Sequence, residues 1–340
     1  MSTAAEQKVT GADAPARGCY DIVVVGGGAA GLSGALALAR ARRSVLVVDS
    51  GRPRNAPAGH VHAYLTQEGV APGQILATGR AEVSGYGGEV VTDTVEAAER
   101  LEDGRFRLVL AGGAAVEADR LLVTTGLIDE LPQVPGLTGR WGQEVLHCPY
   151  CHGYEVRDQA VGVLSTGPMA VHQALMWRQW SDDVTLFLHT GPEPDEDEYE
   201  QLAARDIAVV DGRVASVEVT DGRLSGVVLD SGKVIARQAL VVAPRFTARA
   251  GFLAGLGLEV SDQEMGGVAV GTRIAADPAG ATGVPGVWVA GNVADVSLQV
   301  IGAAAAGVRA GAAINADLIA EETRRAVEDR RRPREAAPAG

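Results

Sequence analysis

Cys148 and Cys151, in the run HCPYCHGYE (residues 147–155), are the residues best placed by type and spacing to do chemistry. Thiols three positions apart can close a disulfide and reopen it, a two-electron exchange. The chain has 340 residues and one other cysteine, Cys19. A single C-x-x-C in a chain of that size points to redox exchange or to a metal, since disulfide frameworks belong to smaller secreted proteins. Exchange needs thiolate, and an unperturbed thiol ionises near about 8.5, so a neighbouring base is required. His152, whose side chain ordinarily titrates near about 6.5, is the candidate acid/base. His147 flanks the pair on the other side, where a packing role is the competing explanation; His60 and His62 receive no role from the sequence.

Other chemistries fit the cysteines less well. Cys151-His152 completes C-x-x-C-H, the c-type haem attachment pattern, which belongs with export, and the first twenty residues lack a signal-peptide pattern. Zinc would crowd adjacent ligands onto one loop, where structural sites draw on separated pairs, so no metal site is expected. CPYC also occurs in glutaredoxins, but there it opens a helix after the first strand of a small domain. Cys19, beside the first apolar strand, reads as an inert buried residue.

The elements that would position the pair fall into two strand, loop and helix units. Residues 22–25 (IVVV) form a buried parallel strand, and Gly26-Gly27-Gly28-Ala29-Ala30-Gly31 opens a helix to about residue 42. Gly26 permits the tight turn, Gly28 lets backbone approach a pyrophosphate at the helix N-terminus, and Gly31 lets helix pack on strand. The strand 45–48 ends in Asp49, where an acid accepts hydrogen bonds from a ribose diol. The second unit has a strand at 161–164 and a helix at 170–180, but its loop reads Ser165-Thr166-Gly167-Pro168-Met169-Ala170, with serine in place of the turn glycine. After the strand 184–188 comes an acidic run, residues 193–198, with no arginine cluster for a 2′-phosphate. This half is read as keeping its fold for packing, with NADPH disfavoured and NADH left open.

Between the units lie a hairpin-like pair at 106–110 and 115–117, a strand at 121–124, the turn Thr125-Gly126 and a linker at 131–136. A strand at 239–243 marks the return to the first unit, followed by GVWVAGNVAD (286–295) and a small-residue helix at 302–320. The fold class is therefore α/β: two Rossmann-like, three-layer domains on parallel sheets, the second inserted into the first. The expected limits are a disordered leader at 1–18, one domain at 19–128 and 246–320, the degenerate domain at 129–245, and a charged tail at 321–340, frayed or disordered. With 46% hydrophobic residues there is enough for two cores, and a net charge of −13 disfavours nucleic acid and anionic membrane as partners. No apolar run approaches the roughly 18 residues of a membrane span, so a cytoplasmic protein is expected.

The order of these pieces resembles the low-molecular-weight thioredoxin reductase family over residues 20–320. That resemblance implies FAD, held by Gly26, Gly28, Ala29, Ala30, Gly31, Asp49, Ser50, Asn55, Thr125, Gly126, Gly291, Asn292, Asp295, Gln299 and Val300. Gln299 and Val300, opening the last helix, would face the pyrimidine end of the ring, where a helix N-terminus favours negative charge. The departures are His152 where the family has aspartate, the degraded second loop, the acidic run, and Asn292 for a usual aspartate. The cysteine motif followed by His-Gly-Tyr-Glu instead resembles the dithiol oxidases of the gliotoxin and holomycin type. By that likeness a small-molecule dithiol attacks Cys148, closes its own disulfide and releases Cys151, the flavin-facing sulfur. The electrons pass to molecular oxygen, giving hydrogen peroxide, in a protein expected to be a homodimer. The alternative is a disulfide reductase driven by NAD(P)H or ferredoxin, and a third is a flavoprotein sensor with a regulatory disulfide.

Overall fold

A computed structural model describes residues 14–332. β1 (Cys19–Val25) leads through the glycine loop to α1 (Ala29–Arg40) and β2 (Val45–Asp49), then α2 (Pro72–Gly85), β3 (Glu89–Thr92), β4 (Val95–Arg100), β5 (Phe106–Leu110) and β6 (Ala115–Val123). β1 pairs in parallel with both β2 and β6, while β4, β5 and β6 form an antiparallel meander. Strand β1 is buried on both faces, as a central parallel strand must be: Ile22 and Val24 pack towards α1, Val23 and Val25 into the opposite core. The hairpin arm and the strand expected at 121–124 are one element, because β6 runs unbroken from the meander into the parallel sheet.

The chain then leaves this sheet through β7 (Leu127–Glu130). It lays down β8 (Val145–Leu146), α3 (Pro149–His152), β9 (Val161–Leu164), α4 (Ala170–Trp177), β10 (Val184–Phe187), α5 (Glu196–Ala204) and β11 (Ala208–Val210). β12 (Val214–Thr220), β13 (Arg223–Leu229) and β14 (Val234–Ala236) form an antiparallel three-stranded sheet, and β15 (Ala239–Val241) completes a parallel sheet of order β11-β10-β9-β15-β8. The return strand β16 (Arg245–Ala248) pairs antiparallel with β7, so the outgoing and incoming crossings are bonded to each other. β17 (Val260–Met265) and β18 (Val268–Ile274) extend that small sheet, and β19 (Val287–Val289) rejoins the first sheet beside β6. Two Rossmann-like units, the second inserted in the first, are the result.

The last element, α6 (Val300–Arg331), lies against α1 at backbone contact: a Cβ on Gly307 would sit 2.0 Å from the Ala30 carbonyl oxygen. This fixes the α6 N-terminus beside the first glycine loop. The helix overruns its expected end at 320, and the tail expected to fray is helical to Arg331. Arg325 pairs with Glu321 and Arg324 with Glu328 at one-turn spacing, while Arg43 and Arg120 bind Glu322 and Glu321 from the body of the domain. Residues 1–13 of the expected leader and 333–340 of the tail lie outside the described residues. α4 stops at Trp177 rather than 180, and α1 at Arg40. Cys19 is a correction: it is exposed, because β1 enters the sheet from solvent at its first residue, and the Arg105 guanidinium lies 3.4 Å from its sulfur.

Candidate active site

Gly26, with φ of +106°, turns the chain at the end of β1, where its N–H donates to Val48 O at 2.8 Å. Thr124 Oγ1 donates to Gly26 O at 2.7 Å, tying the loop to the end of β6. The φ value excludes most side chains, and a Cβ there would lie 2.6 Å from Thr124 O. Gly27 is held as closely, since its Cβ would meet the Asp49 side chain at 2.7 Å. Gly28 differs: a Cβ would meet nothing within 4 Å, so its face opens on the cavity. α1 starts there with no side-chain cap and no acid in its first turn, which leaves its leading N–H groups and the helix dipole for an anion. Gly31 faces inwards, 1.9 Å from Gly26 O if given a Cβ, and does not line the cavity. Gly31→Ala is expected to cost about 1–3 kcal/mol of stability by overpacking, read as a lowered denaturant midpoint with early loss of bound FAD.

The cavity has a volume of about 1280 Å³. Of the residues implied to hold FAD, Gly26, Gly28, Ala29, Ala30, Asp49, Ser50, Asn55, Thr125, Gly126, Gly291, Asn292, Gln299 and Val300 all line it. Asp295 does not. Burial alone would raise its carboxyl, but bonds from Ser297 and Gln263, with Arg273 nearby, hold it below the ordinary carboxylate value. Its charge is met by Ser297 of its own loop and by Gln263 of β17. Asn292 is a loop lock as well as a wall: its Nδ2 donates to the carbonyls of Asp295, Val296 and Leu298.

The same cavity reaches the cysteines. Cys148 is the N-cap of α3 and Cys151 its third residue; the two are disulfide-bonded, with Cα atoms 5.3 Å apart. Gln299 Nε2 lies 3.9 Å from Cys148 Sγ and 4.0 Å from Cys151 Sγ, so the N-terminus of α6 sits over the disulfide. His152, on the same short helix, lines the cavity, and burial lowers its pKa below the usual histidine value, favouring the neutral imidazole that accepts a proton. Burial likewise lowers His147, but its Nδ1–H donates to Val242 O at 3.1 Å and its ring packs edge-on against Phe246 at 5.1 Å. Its ring is committed to the β7/β16 crossing, the packing role.

Several residues around the pair carried no sequence signal. His62 Nδ1 lies 2.6 Å from Glu68 Oε1 and its Nε2 3.3 Å from Glu155 Oε1, joining the loop after β2 to the segment after α3. The Arg54 guanidinium grips Asp129 of β7 at 2.8 and 2.6 Å and lies 5.3 Å from the Phe246 ring centroid. Tyr150, between the cysteines, is exposed and meets Trp180 edge-on at 5.5 Å. All but the His62–Glu68 contact join residues distant in sequence. Among the described residues no group of three or more His, Cys, Asp or Glu could hold a metal ion.

At the second loop, Ser165 is 2% exposed and its carbonyl accepts from Gly191 N at 3.0 Å. Its hydroxyl fills the space beside Gly191, where a Cβ would lie 1.8 Å away. The acidic run has a local use: Asp195 caps α5 and Glu198 returns the bond to Asp195 N.

Residues 20–315 match the family described as pyridine nucleotide-disulphide oxidoreductase. Thioredoxin reductase sirT of Leptosphaeria maculans is 30% identical over 312 residues, covering 87% of this chain and 93% of that protein. Thioredoxin reductase tcpT of Claviceps purpurea is 36% identical over 175 residues, so there the match spans about half of each, 49% and 54%. The crystal structure of HlmI superposes with a TM-score of 0.85 at 48% identity, covering 92% of this chain and 96% of that one. The glycine loop, its open face at Gly28 and the uncapped α1 suit a dinucleotide, and the disulfide shares its cavity. The chain belongs to the pyridine nucleotide-disulphide oxidoreductase family, as a thioredoxin reductase-like flavin thiol/disulfide oxidoreductase whose cofactor is FAD.

Proposed function

We propose that this flavoenzyme is a dithiol oxidase: it closes an intramolecular disulfide in a small-molecule natural product and uses oxygen as acceptor, with hydrogen peroxide as product. The observation that carries the reading is the asymmetry of the two units. The first loop opens on the cavity that holds the disulfide and turns on Gly26, whereas the second, which lines the same cavity through Thr166 and Gly167, carries Ser165 in place of the turn glycine, its hydroxyl set against Gly191. His152 supports it, being a half-buried imidazole next to Cys151 whose lowered pKa favours the neutral base.

In the proposed cycle a substrate thiolate attacks Cys148 Sγ, the Cys148–Cys151 bond breaks, and its electron pair leaves on Cys151. The second substrate thiol, its proton taken by His152, attacks the substrate sulfur of the mixed disulfide and leaves Cys148 as thiolate. FAD supplies the two-electron acceptor that reoxidises the pair and the means of passing those electrons to oxygen. The sum is dithiol plus O2 giving cyclic disulfide plus H2O2. Gly26, Gly28, Ala29, Ala30, Asp49 and Ser50 would hold its ADP half, and Asn55, Thr125, Gly126, Gly291, Asn292, Gln299 and Val300 the flavin side. An oxygen electrode tests the reading: reduced dithiols in air should give uptake with one peroxide per disulfide formed, and no uptake above the protein-free rate across a dithiol panel contradicts it.

A second reading, a disulfide reductase driven by NAD(P)H or ferredoxin, is favoured by one feature. A cleft of about 770 Å³ beside the second loop is lined by Thr166, His189, Thr190, Arg213 and Arg245, whose guanidiniums could face phosphate. The proposed domain limits stay at 19–128 with 246–320, and 129–245, consistent with the β7/β16 crossing. A homodimer is proposed too, supported by the exposed stripe Ile301, Ala305, Val308, Ala312 and Ile319 along α6. The proposed compartment is the cytoplasm, from the redox logic of a lone C-x-x-C; no helix among the described residues is long and apolar enough to cross a membrane.

A further inference from the structure

Gln299 occupies an unusual position for a helix N-cap. Its backbone is extended, as a cap requires, and its carbonyl accepts from Ala303 N at 2.8 Å, yet its side chain makes no capping bond to α6. The amide is turned instead to the redox pair, with Nε2 at 3.9 Å from Cys148 Sγ and 4.0 Å from Cys151 Sγ. Sulfur in a disulfide or a thiolate offers only lone pairs, so the face of the amide that suits this place is its NH₂. Both contacts are long, as weak bonds to a neutral disulfide are. When the disulfide opens, one sulfur becomes an anion and the same donor meets a far stronger acceptor.

We propose that Gln299 is a catalytic residue that donates an N–H to the sulfur leaving as thiolate when the Cys148–Cys151 bond is opened, with the N-terminal end of α6 behind it. Attack of an external thiolate on Cys148 Sγ breaks the Sγ–Sγ bond and places the electron pair on Cys151 Sγ. One thiolate enters and one leaves, so charge and electrons balance without a further reagent. A donor within reach of both sulfurs serves both directions, because the thiolate that later attacks to close the disulfide occupies the same place. α6 has no acidic residue in its first turn to oppose the charge, and the close packing of Gly307 on α1 keeps its end from drifting. Ionisable groups that line the cavity with the pair include His152 on α3, Tyr150 between the cysteines, His147 ahead of them, and His62, which pairs with Glu155. Of the side chains around the pair, Gln299 alone hydrogen-bonds both sulfurs among the described residues.

The inference rests on the reading that this pair opens and closes during turnover, but not on oxygen or on any particular dithiol. Its test therefore uses neither. FAD-loaded enzyme is reduced anaerobically, freed of reductant and alkylated with iodoacetamide over a range of pH, with modification of Cys148 and Cys151 followed separately by mass spectrometry. Gln299→Met keeps the volume and removes the donor; Gln299→Glu keeps the shape and sets a carboxylate against the sulfurs. The alkylation midpoint of at least one cysteine is expected to rise by about one pH unit in Gln299→Met, the scale of a lost hydrogen bond to a charged group, and further in Gln299→Glu. Either variant suffices if the other does not retain FAD. Profiles that superimpose on wild type in a FAD-retaining variant overturn the proposal. Failure of the dithiol oxidase reading would appear separately, as absent oxygen uptake with the alkylation shift intact.

Discussion

Cys148→Ser is expected to lower dithiol-dependent oxygen uptake by at least about 10³-fold while the protein keeps FAD and its melting temperature. Serine is nearly isosteric at this N-cap, where Cys148 makes no side-chain capping bond, so α3 should persist. What disappears is the electrophilic sulfur, and with it any route from substrate thiol to flavin through the pair. The companion Cys151→Ser separates the two roles. It leaves Cys148 able to attack a cyclic disulfide product, so a mixed disulfide of defined mass should accumulate on Cys148. The matching species on Cys151 in Cys148→Ser should form much more slowly. Equal trapping on both would show that the assignment of the attacked sulfur, which comes from family likeness, is wrong.

His152→Ala carries the second largest effect, a fall in turnover of about 10²–10⁴-fold, the range for a positioned general base. The pH profile is the more discriminating readout. Burial lowers His152, so in wild type the acidic limb of kcat/KM should lie below the ordinary histidine value of about 6.5, and the variant should lose that limb. Stability follows the same sign. A histidine whose folded-state pKa is depressed binds fewer protons folded than unfolded, so stability is complete above about pH 6.5 and declines as pH falls from there towards the depressed value. His147, also lowered by burial, adds to the same window. Urea titrations of wild type and His152→Ala on either side of that window should show a smaller acid penalty in the variant.

Much of the fold was legible because its signals are local. The alternation of Ile22 to Val25 between two cores, the glycine at φ +106° and the acid closing β2 each constrain a few neighbouring residues, and the structure builds the first unit from them. The C-x-x-C needed only its own spacing. Much of what escapes the sequence depends on residues far apart in it, or on side-chain types that carry no local signal. The bond between β7 and β16 spans more than a hundred residues, and the contacts of His62 with Glu68 and Glu155 use side-chain types common on any surface. Family likeness assigns Asp295 to the cofactor, but a serine two residues on and a glutamine from β17 already satisfy it. The same likeness places Gln299 against the flavin ring, and in the structure its amide meets both sulfurs. The charge and prolines of the tail suggest a frayed helix or disorder, whereas Arg43 and Arg120 give its acids partners and the helix runs to Arg331.

The point at which electrons enter separates the oxidase from the reductase, and anaerobic stopped-flow spectroscopy of the oxidised holoenzyme asks that directly. Mixed with a small reduced dithiol, the absorbance of the oxidised flavin should bleach at a rate at least equal to turnover, consistent with entry through an electrophilic disulfide. Mixed with NADPH or NADH, it should stay oxidised on that timescale. Rapid bleaching by either nicotinamide, with none by the dithiol, would contradict the account and establish the reductase in its place.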